Sequence, residues 1–399
     1  MSEHMNAKKK STVRTEVTPA AAASGPPPRR LMAMDIYRGL AVAGMIIVDN
    51  PGSDDLAYAP IRHTFWNGWT PADLIFPSFL FIVGVSLVFS YSARYARGET
   101  RQSLLRHALI RSAALLMLGV VLNAFPTFEL STVRYEGVLQ RIAICYLAAA
   151  ILALWTGCRG QLTAILICLV GYWALLRFVS VPGFGVPGRD IPFLDPGRNL
   201  PAWLDRKFFM GHLYNGTRDP EGIIHSIPAI ATTLIGTLTG AWLKSNRSLR
   251  KILGAMTLAG LGLLVGGLIW DRWFPINKNL WTSSFVLFSG GFALLAFALL
   301  FWVIEVKRWR AVWTIPLLVF GMNAIAGFTA DALVGGLTYT YHVHRADGSL
   351  VLWQEYGNSC LAFFHLSPAN TSLLYSLIVL AFCWLLLYLL YRKRIFLKF

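Results

Sequence analysis

The chain has 399 residues, of which 55% are hydrophobic and only 14% are charged, and its mean hydropathy is +0.53. A soluble globular domain carries about 25% charged residues, so this composition excludes that class and requires a chain that largely faces lipid. The net charge of +16 comes from short Lys/Arg patches between apolar runs, which favours membrane topology over nucleic-acid binding.

The first segment differs from the rest of the chain. Residues 1–30 are rich in Ala, Pro and Ser, and Gly25-Pro26-Pro27-Pro28 lies near their end. So little apolar surface cannot offset the entropy of ordering the chain. The prediction is a disordered cytoplasmic tail at 1–30 and one transmembrane domain at 31–399, with no cleaved signal peptide because the first apolar run is long enough to span.

Ten apolar runs follow. Each has roughly the 17 to 25 residues that a bilayer core of about 30 Å requires. The runs are 33–50, 72–92, 107–123, 138–156, 161–180, 223–243, 252–270, 281–304, 312–334 and 371–391. The expected fold class is an all-α polytopic membrane protein with about ten transmembrane helices in one bundle.

The connections between these runs alternate in character. Short connections rich in Lys and Arg, such as 93–106, alternate with longer ones rich in Pro, Gly and Trp. Because basic loops are retained in the cytoplasm, the long connections should be periplasmic and both termini cytoplasmic. The expected location is a bacterial inner membrane.

Two long connections should cover the outer end of the bundle. In 335–370, alternating residues flank Asp347-Gly348, a pattern typical of a β-hairpin with strands 338–344 and 350–353. The proline-rich connection 181–222 should lack long helices and fold over the surface. His342 and His344 share a strand face, but without a third suitably spaced ligand no metal site is expected.

The first span carries ionisable residues at both ends, and such groups are functional candidates in a membrane. Asp35 and Arg38 form either an interfacial ion pair or a seat for an anionic group that enters from the cytoplasm. Asp49 and Asn50 either terminate the helix before Pro51 or belong to the site.

His63 is the most informative histidine. It precedes Thr70-Pro71-Ala72-Asp73, a sequence typical of a helix start, in which Asp73 suits the helix dipole. An aromatic-flanked histidine at a membrane mouth is more often interfacial than catalytic, but here other polar residues accompany it. Trp66, Trp69 and Asn67 follow it directly.

The accompanying residues are spread along the chain. The predicted topology places the side chains at 49, 63, 141, 219, 221 and 278 on one outer side, where they can converge. The full candidate set is Asp35, Arg38, Asp49, Asn50, His63, Trp66, Asn67, Asp73, Arg141, Asp219, Glu221, Lys278, Asn279 and Asn323. No Walker motif, GxSxG elbow or HExxH helix is present, which argues against an ATPase, a common serine hydrolase and a zincin.

Several of these segments resemble the transmembrane acyltransferase family of heparan-α-glucosaminide N-acetyltransferase and its bacterial NagX-type relatives. The resemblance covers nearly the whole chain after residue 30. Its anchors are Met34-Asp35-Ile36-Tyr37-Arg38-Gly39-Leu40, Val48-Asp49-Asn50-Pro51-Gly52, His63-Thr64-Phe65-Trp66-Asn67-Gly68, Pro71-Ala72-Asp73-Leu74-Ile75-Phe76-Pro77, Gly137-Val138-Leu139-Gln140-Arg141, Asp219-Pro220-Glu221-Gly222-Ile223 and Ile276-Asn277-Lys278-Asn279-Leu280-Trp281.

The resemblance implies transfer of an acetyl group from cytoplasmic acetyl-CoA to an amino sugar across the membrane. It implies that His63 is the active histidine. The family usually has Asn at the position of Asp49, which leaves open whether Asp49 or Asn50 orients the histidine ring.

The chemistry expected is general-base or nucleophilic catalysis by His63, and the sequence does not separate these. Asn67, Arg141 or Lys278 would contact the oxyanion or the sugar, and Trp66 and Trp69 would stack on a sugar face. The expected partners are acetyl-CoA as acyl donor, an amino-sugar acceptor and the lipid bilayer, with a homodimer left open and no nucleic acid or metal. The alternatives are an N-acetylglucosamine transporter and a non-catalytic scaffold.

Overall fold

The computed structural model describes residues 31–345 and 347–397, so the predicted tail at 1–30 lies outside the described residues. The described part is almost entirely helical. Its α-helices are α1 Met32–Asp49, α2 Ile75–Tyr95, α3 Arg101–Ala124, α4 Val138–Trp155, α5 Cys158–Phe178, α6 Leu200–Phe209, α7 Ser226–Leu243, α8 Leu249–Trp270, α9 Ser283–Phe301, α10 Thr314–Met322, α11 Ala324–Thr340, α12 Trp353–Cys360 and α13 Pro368–Arg392.

The helices confirm an all-α polytopic membrane protein, and each of the ten predicted spans coincides with a helix or helix pair. Within the described residues, eight helices are long and apolar enough to cross a membrane. The α10–α11 pair is a ninth span if its 86° bend is counted as one broken span. Helix α1 is not among these eight. It is 18 residues long, but it carries three charged residues, Asp35, Arg38 and Asp49.

Glycines bring the central helices into close contact. A Cβ atom at Gly39 of α1 would clash with the backbone carbonyl of Leu317 in α10, and one at Gly321 would clash with the carbonyl of Asp35. Gly84 of α2 and Gly236 of α7 make the same kind of contact in a second helix pair. Small residues let membrane helices approach closely. This packing fixes α1, which carries three of the candidate residues, and α2, which follows the turn that carries Asp73.

The hairpin predicted in 335–370 is confirmed, but its strands are shorter than predicted. Strand β1, His342–His344, pairs antiparallel with β2, Leu350–Leu352. Residues 338–340, predicted as strand, complete α11, and Trp353 begins α12. Helix α11 continues six residues past the apolar run, to Thr340, and its helical hydrogen bonds override the local alternation.

The proline-rich connection 181–222 contains one ten-residue helix, α6, whose Pro201 occupies the first turn, where its missing N–H costs nothing. The connection packs against the segment that contains His63. Leu194 of the connection belongs to the same apolar cluster as Trp66, Tyr172 and Phe274.

Candidate active site

Asp73 holds His63 in place at the start of α2. Thr70 and Asp73 form a capping box around a short 3₁₀ turn, Pro71–Leu74, that leads into α2. The Asp73 side chain is fully buried, and its Oδ1 lies 2.8 Å from His63 Nδ1. Its Oδ2 accepts hydrogen bonds from the backbone N–H groups of Thr64 and Thr70 at 3.2 and 3.0 Å. The capping carboxylate therefore also fixes the orientation of the imidazole.

Lys278 completes a three-residue cluster. Its Nζ lies 3.1 and 3.2 Å from the two ring nitrogens of His63 and 3.7 Å from Asp73 Oδ1. The turn that carries Lys278 is braced by Asn277, whose Oδ1 accepts from the N–H of Leu280 and whose Nδ2 donates to Asn67 Oδ1. Because 42% of the His63 side chain is exposed, the ring is accessible to a substrate.

The sequence left open whether Asp49 or Asn50 orients the His63 ring, and in the structure the carboxylate that contacts the ring is that of Asp73. Asn50 Nδ2 donates to Ile46 O and to the carboxylate of Asp331 in α11, and the ring is bound by Asp73 instead. Asn50 ends α1 facing α11, whereas Asp73 lies ten residues from His63 in the same capping loop. Among the described residues no hydrogen bond joins Asp49 to the ring, although the charges of His63 and Lys278 act on its carboxylate.

Asp49 and Asn50 line a cavity of about 210 Å³, which we call the Asp49 cavity. Its other polar walls include Asp331, Gln140, Arg134 and Tyr339.

Asp35 and Arg38 line a second, larger cavity of about 660 Å³, the Arg38 cavity. The basic groups Arg94, His107 and Arg111 also line it. Arg38 lies 3.5 Å from Asp35 and donates to Ser86 Oγ and Gly321 O at 2.7 and 3.0 Å.

The two cavities lie towards opposite ends of the same helices. Arg38 and Asp49 are eleven residues apart on α1, about 16 Å along the helix axis. Leu139 of α4 and Phe328 of α11 line both cavities, so they stand at the boundary between them.

Asp219 and Glu221 belong to a buried ion cluster beside the Asp49 cavity. The guanidinium of Arg134 donates to both carboxylates, through Nε to Asp219 at 2.6 Å and through Nη2 to Glu221. Burial alone would raise the pKa of Glu221, but Arg134, Arg141 and Lys278 lower it to about 2. Burial disfavours the charge on Arg134, yet Glu221 and Asp219 raise the pKa of its guanidinium above the usual value.

Two further groups in this cluster are held neutral by burial. Desolvation, with the carboxylates of Asp205 and Asp219 nearby, raises the pKa of Glu136 to about 8. Burial and the charge of Arg141 lower the pKa of His225 to about 3. At neutral pH Glu136 therefore keeps its proton, whereas His225 is an uncharged imidazole that holds no extra proton.

Three predicted substrate contacts serve the packing of this end instead. Arg141 is buried, stacks 4.9 Å from the ring centroid of Trp281 and donates to Pro220 O at 2.8 Å. Trp66 is buried and donates through Nε1 to Leu194 O at 2.7 Å, so its face is not available to a sugar. Asn279 donates to Phe65 O at 3.4 Å, which ties the Lys278 turn to the His63 segment.

Asn323 lies apart from the outer cluster. It occupies the break between α10 and α11, where its Nδ2 donates to Ile395 O and its Oδ1 accepts from the N–H of Leu397. Leu397 lines the Arg38 cavity. Asn323 therefore anchors Ile395 and Leu397 beside that cavity.

Sequence reasoning missed Asp331 and Arg134. Asp331 lies in α11 and Arg134 in a connection, and their partners Asn50 and Asp219 are 281 and 85 residues away in the chain. One signal was available for Asp331, since a carboxylate inside an apolar run is expensive and marks a functional candidate.

Comparison with known proteins finds one matching family model and similar proteins. The family model described as "Heparan-alpha-glucosaminide N-acetyltransferase, catalytic" matches residues 30–267. Two similar proteins named heparan-alpha-glucosaminide N-acetyltransferase, from Homo sapiens and Mus musculus, are 28% and 29% identical over 96% and 74% of this chain. The matched regions span 62% and 52% of the length of those relatives.

The family model covers more than half of the chain. The matched region includes α1 to α7, the His63–Asp73 pair, and the residues of α1 that line the Arg38 cavity and the Asp49 cavity. The chain therefore belongs to the heparan-α-glucosaminide N-acetyltransferase family.

Proposed function

We propose that the protein is a membrane acyltransferase that moves an acetyl group from acetyl-CoA to the amine of a glucosamine-type amino sugar. Acetyl-CoA enters on the cytoplasmic side of a bacterial inner membrane, and the acceptor binds on the periplasmic side. One observation carries this proposal: a basic cavity and an acidic cavity lie towards opposite ends of the same helices and share Leu139 and Phe328. The names of the two relatives support the reaction class.

The Arg38 cavity suits the charged end of the acyl donor. Phosphate groups bind Arg through charge-assisted hydrogen bonds, and Arg111 brings a buried Nε that has no hydrogen-bond partner among the described residues. The cavity lies at the end of α2 that leads into the Arg-rich connection 93–106, the end predicted to be cytoplasmic. The slender arm of the donor would pass Leu139 and Phe328, because an apolar passage excludes the charged nucleotide.

His63 is the group best suited to proton transfer. With Nδ1 donating to Asp73, the ring keeps its proton on Nδ1 and a lone pair on Nε2. In direct transfer, Nε2 takes a proton from the acceptor nitrogen as the C–N bond forms, the C–S bond breaks, and CoA leaves as a thiolate that is then protonated. Lys278 Nζ lies 3.2 Å from Nε2, so its ammonium would donate a hydrogen bond to the oxygen that becomes negative when a substrate is attacked there.

The nucleophilic route uses the same residues in two steps. Nε2 attacks the thioester carbonyl and the C–S bond breaks to release the thiolate. The amine then attacks the acetyl carbon, the bond from Nε2 to that carbon breaks, and the proton lost by the amine is taken up by the freed Nε2. The two routes differ in one observable, because only the second leaves acetyl on the protein when the acceptor is omitted.

A sugar transporter is the alternative, and the 86° break between α10 and α11 is the feature that favours it. Transporters use broken helices to form substrate sites. Here the side-chain groups of Asn323 at the break bind the backbone of Ile395 and Leu397. The polar groups of Asn323 are therefore used within the protein rather than for a transported sugar, which favours the transferase.

The test is transfer of radiolabelled acetyl from acetyl-CoA to glucosamine by purified protein in liposomes. We expect wild-type activity and a loss of about 10²–10⁴-fold or more in His63→Ala. The matched control is His342→Ala, which removes an exposed histidine from strand β1 and should keep full activity. Full activity in His63→Ala, or movement of N-acetylglucosamine across the liposome without any acetylation, would reject the proposal.

A further inference from the structure

The Asp49 cavity is lined by acidic side chains that have no role in the His63 cluster. Two carboxylates line it, Asp49 at the end of α1 and Asp331 in α11. Asp331 is 5% exposed, whereas Asp49 is exposed to solvent at the cavity. The basic side chain on the wall, Arg134, is already bound to Asp219 and Glu221. The cavity therefore has two carboxyl groups on its wall, and the one arginine on that wall is bound to other acids.

A third oxygen in the same cavity lacks a partner. Asn50 is 1% exposed, and its Nδ2 faces two acceptors, Ile46 O and the carboxylate of Asp331. This orientation leaves Oδ1 as a buried acceptor that receives no hydrogen bond from any described residue. A buried acceptor without a donor costs free energy, so it marks a place where a donor from outside would be stabilised.

Gly335 shows where that acceptor points. Gly335 lines the same cavity, and a Cβ atom added to it would lie 3.8 Å from Asn50 Oδ1. The missing side chain leaves open space directly in front of the unpartnered oxygen. Since 3.8 Å is an ordinary van der Waals contact, an alanine would fit here without a clash.

We propose that Asp49, Asp331 and Asn50 Oδ1 form a binding site for the protonated amine of the acceptor. A primary ammonium has three N–H donors and no acceptor, and the cavity presents three oxygen groups, two of them on carboxylates. This inference rests on the proposed function, in that the amine bound here is the one to be acetylated. Loss of one ammonium proton to a carboxylate leaves the neutral amine with the lone pair that attack on the acetyl group requires. The second proton goes to His63 Nε2 as the C–N bond forms.

The site would select amino sugars over neutral sugars. Glucose has the shape of glucosamine but carries a hydroxyl in place of the ammonium, so it gains no attraction from the two carboxylates. N-acetylglucosamine, the product, has lost the charge, so the same site would favour its release.

The test measures binding of glucosamine and glucose to the purified protein by isothermal titration, without acetyl-CoA. We expect wild type to prefer glucosamine at least tenfold. Asp331→Asn, which keeps size and hydrogen bonding but removes the charge, should lower this preference at least tenfold, and Asp49→Asn/Asp331→Asn should abolish it. Asp347→Asn, an exposed aspartate in the hairpin turn, is the control and should bind as wild type does.

Gly335→Ala provides a second variant that is expected to fold. It should keep or raise the melting temperature, because alanine is favoured over glycine within a helix, while it lowers glucosamine affinity at least tenfold. Wild-type binding in Gly335→Ala would overturn the proposal, as would an equal loss of affinity for glucosamine and glucose in Asp331→Asn.

The acetylation assay separates this inference from the proposed function. Selective glucosamine binding that depends on Asp331, in a protein that transfers no acetyl group, supports the ammonium site and rejects the transferase. Acetyl transfer by wild type with no preference for the charged sugar supports the transferase and overturns the ammonium site.

Discussion

The carboxylate of Asp73 binds the imidazole of His63 through a 2.8 Å contact between Oδ1 and Nδ1. The same carboxylate caps the turn that begins the α2 span, so one side chain links the stability of a helix start to the orientation of the candidate catalytic ring.

Asp73→Asn should lower kcat for acetyl transfer by about 10²–10⁴-fold, because a carboxamide neither fixes the tautomer of His63 nor balances a positive ring. The measurement is steady-state kinetics with glucosamine and acetyl-CoA. Thr70→Ala is the matched control, since Thr70 shares the capping box but hydrogen-bonds Asp73 and Arg62 rather than His63.

Thr70→Ala should cost about 1 kcal/mol of stability and keep most of the activity. If both variants lost activity only in proportion to their loss of thermal stability, Asp73 would be a structural cap and nothing more.

Arg111→Ala should weaken acetyl-CoA binding about 10- to 150-fold, the effect of losing charge-assisted hydrogen bonds worth about 1.5–3 kcal/mol. Arg111 lines the Arg38 cavity and stacks 4.7 Å from the ring centroid of Tyr146. Arg247 stacks in the same way, 4.2 Å from the Trp242 ring, but does not line that cavity, so Arg247→Ala is the control. Equal CoA affinity in the two variants, measured by titration, would remove the phosphate role from Arg111.

Glu136→Gln should stabilise the protein at alkaline pH. The pKa of Glu136 is raised from 4.5 to about 8, first by burial and then by Asp205 and Asp219. Between these values the folded state holds a proton that the unfolded state has released, so stability falls as pH rises from about 4.5 to 8. Glutamine removes this linked proton while its Oε1 still accepts from the N–H of Ile223.

The measurement is the melting temperature of both proteins at pH 5 and pH 8.5. We expect the free energy of unfolding of the variant to exceed that of wild type by about 1–3 kcal/mol at pH 8.5, which raises its melting temperature, with little difference at pH 5. A constant difference between the two proteins at both pH values would mean that Glu136 is ionised in the fold.

Hydropathy predicted the spans because a bilayer imposes one length on every crossing. It did not predict that Asn323 breaks the ninth span, since the bend is stabilised by contacts with Ile395 and Leu397 about seventy residues away. Asp73 was predicted as a helix-start residue, and that role is correct but incomplete. A capping signal is local, whereas the contact with His63 depends on how the loop between them folds.

The ion cluster around Arg134 shows the same limit. The acids Asp219 and Glu221 were identified as candidates, but their shared partner lies in a connection that carries no motif. Pairing between distant loops depends on the packing of whole helices, which a single sequence does not encode in any local pattern.

The orientation of the chain is testable with its own cysteines. Cys158 begins α5 and Cys360 ends α12, and both are exposed. Helix α4 runs from the end that holds the Asp49 cavity towards the end that holds Arg94, so Cys158 lies at the Arg94 end. Cys360 follows the hairpin, at the end predicted to be periplasmic.

Two variants, Cys158→Ser and Cys360→Ser, each leave one of these exposed thiols for an impermeant maleimide. In spheroplasts we expect the Cys158→Ser protein to label at Cys360, and the Cys360→Ser protein to label only after the membrane is permeabilised, because Lys/Arg-rich connections stay in the cytoplasm. His344→Cys in the hairpin, added to a protein lacking both exposed cysteines, should label as Cys360 does.

Labelling of Cys158 in sealed spheroplasts, with Cys360 protected until lysis, would show that the topology is the reverse of the one predicted. Acetyl-CoA would then face the periplasmic end of the bundle, where no cellular pool supplies it, and the transmembrane transfer proposed above would fail with it.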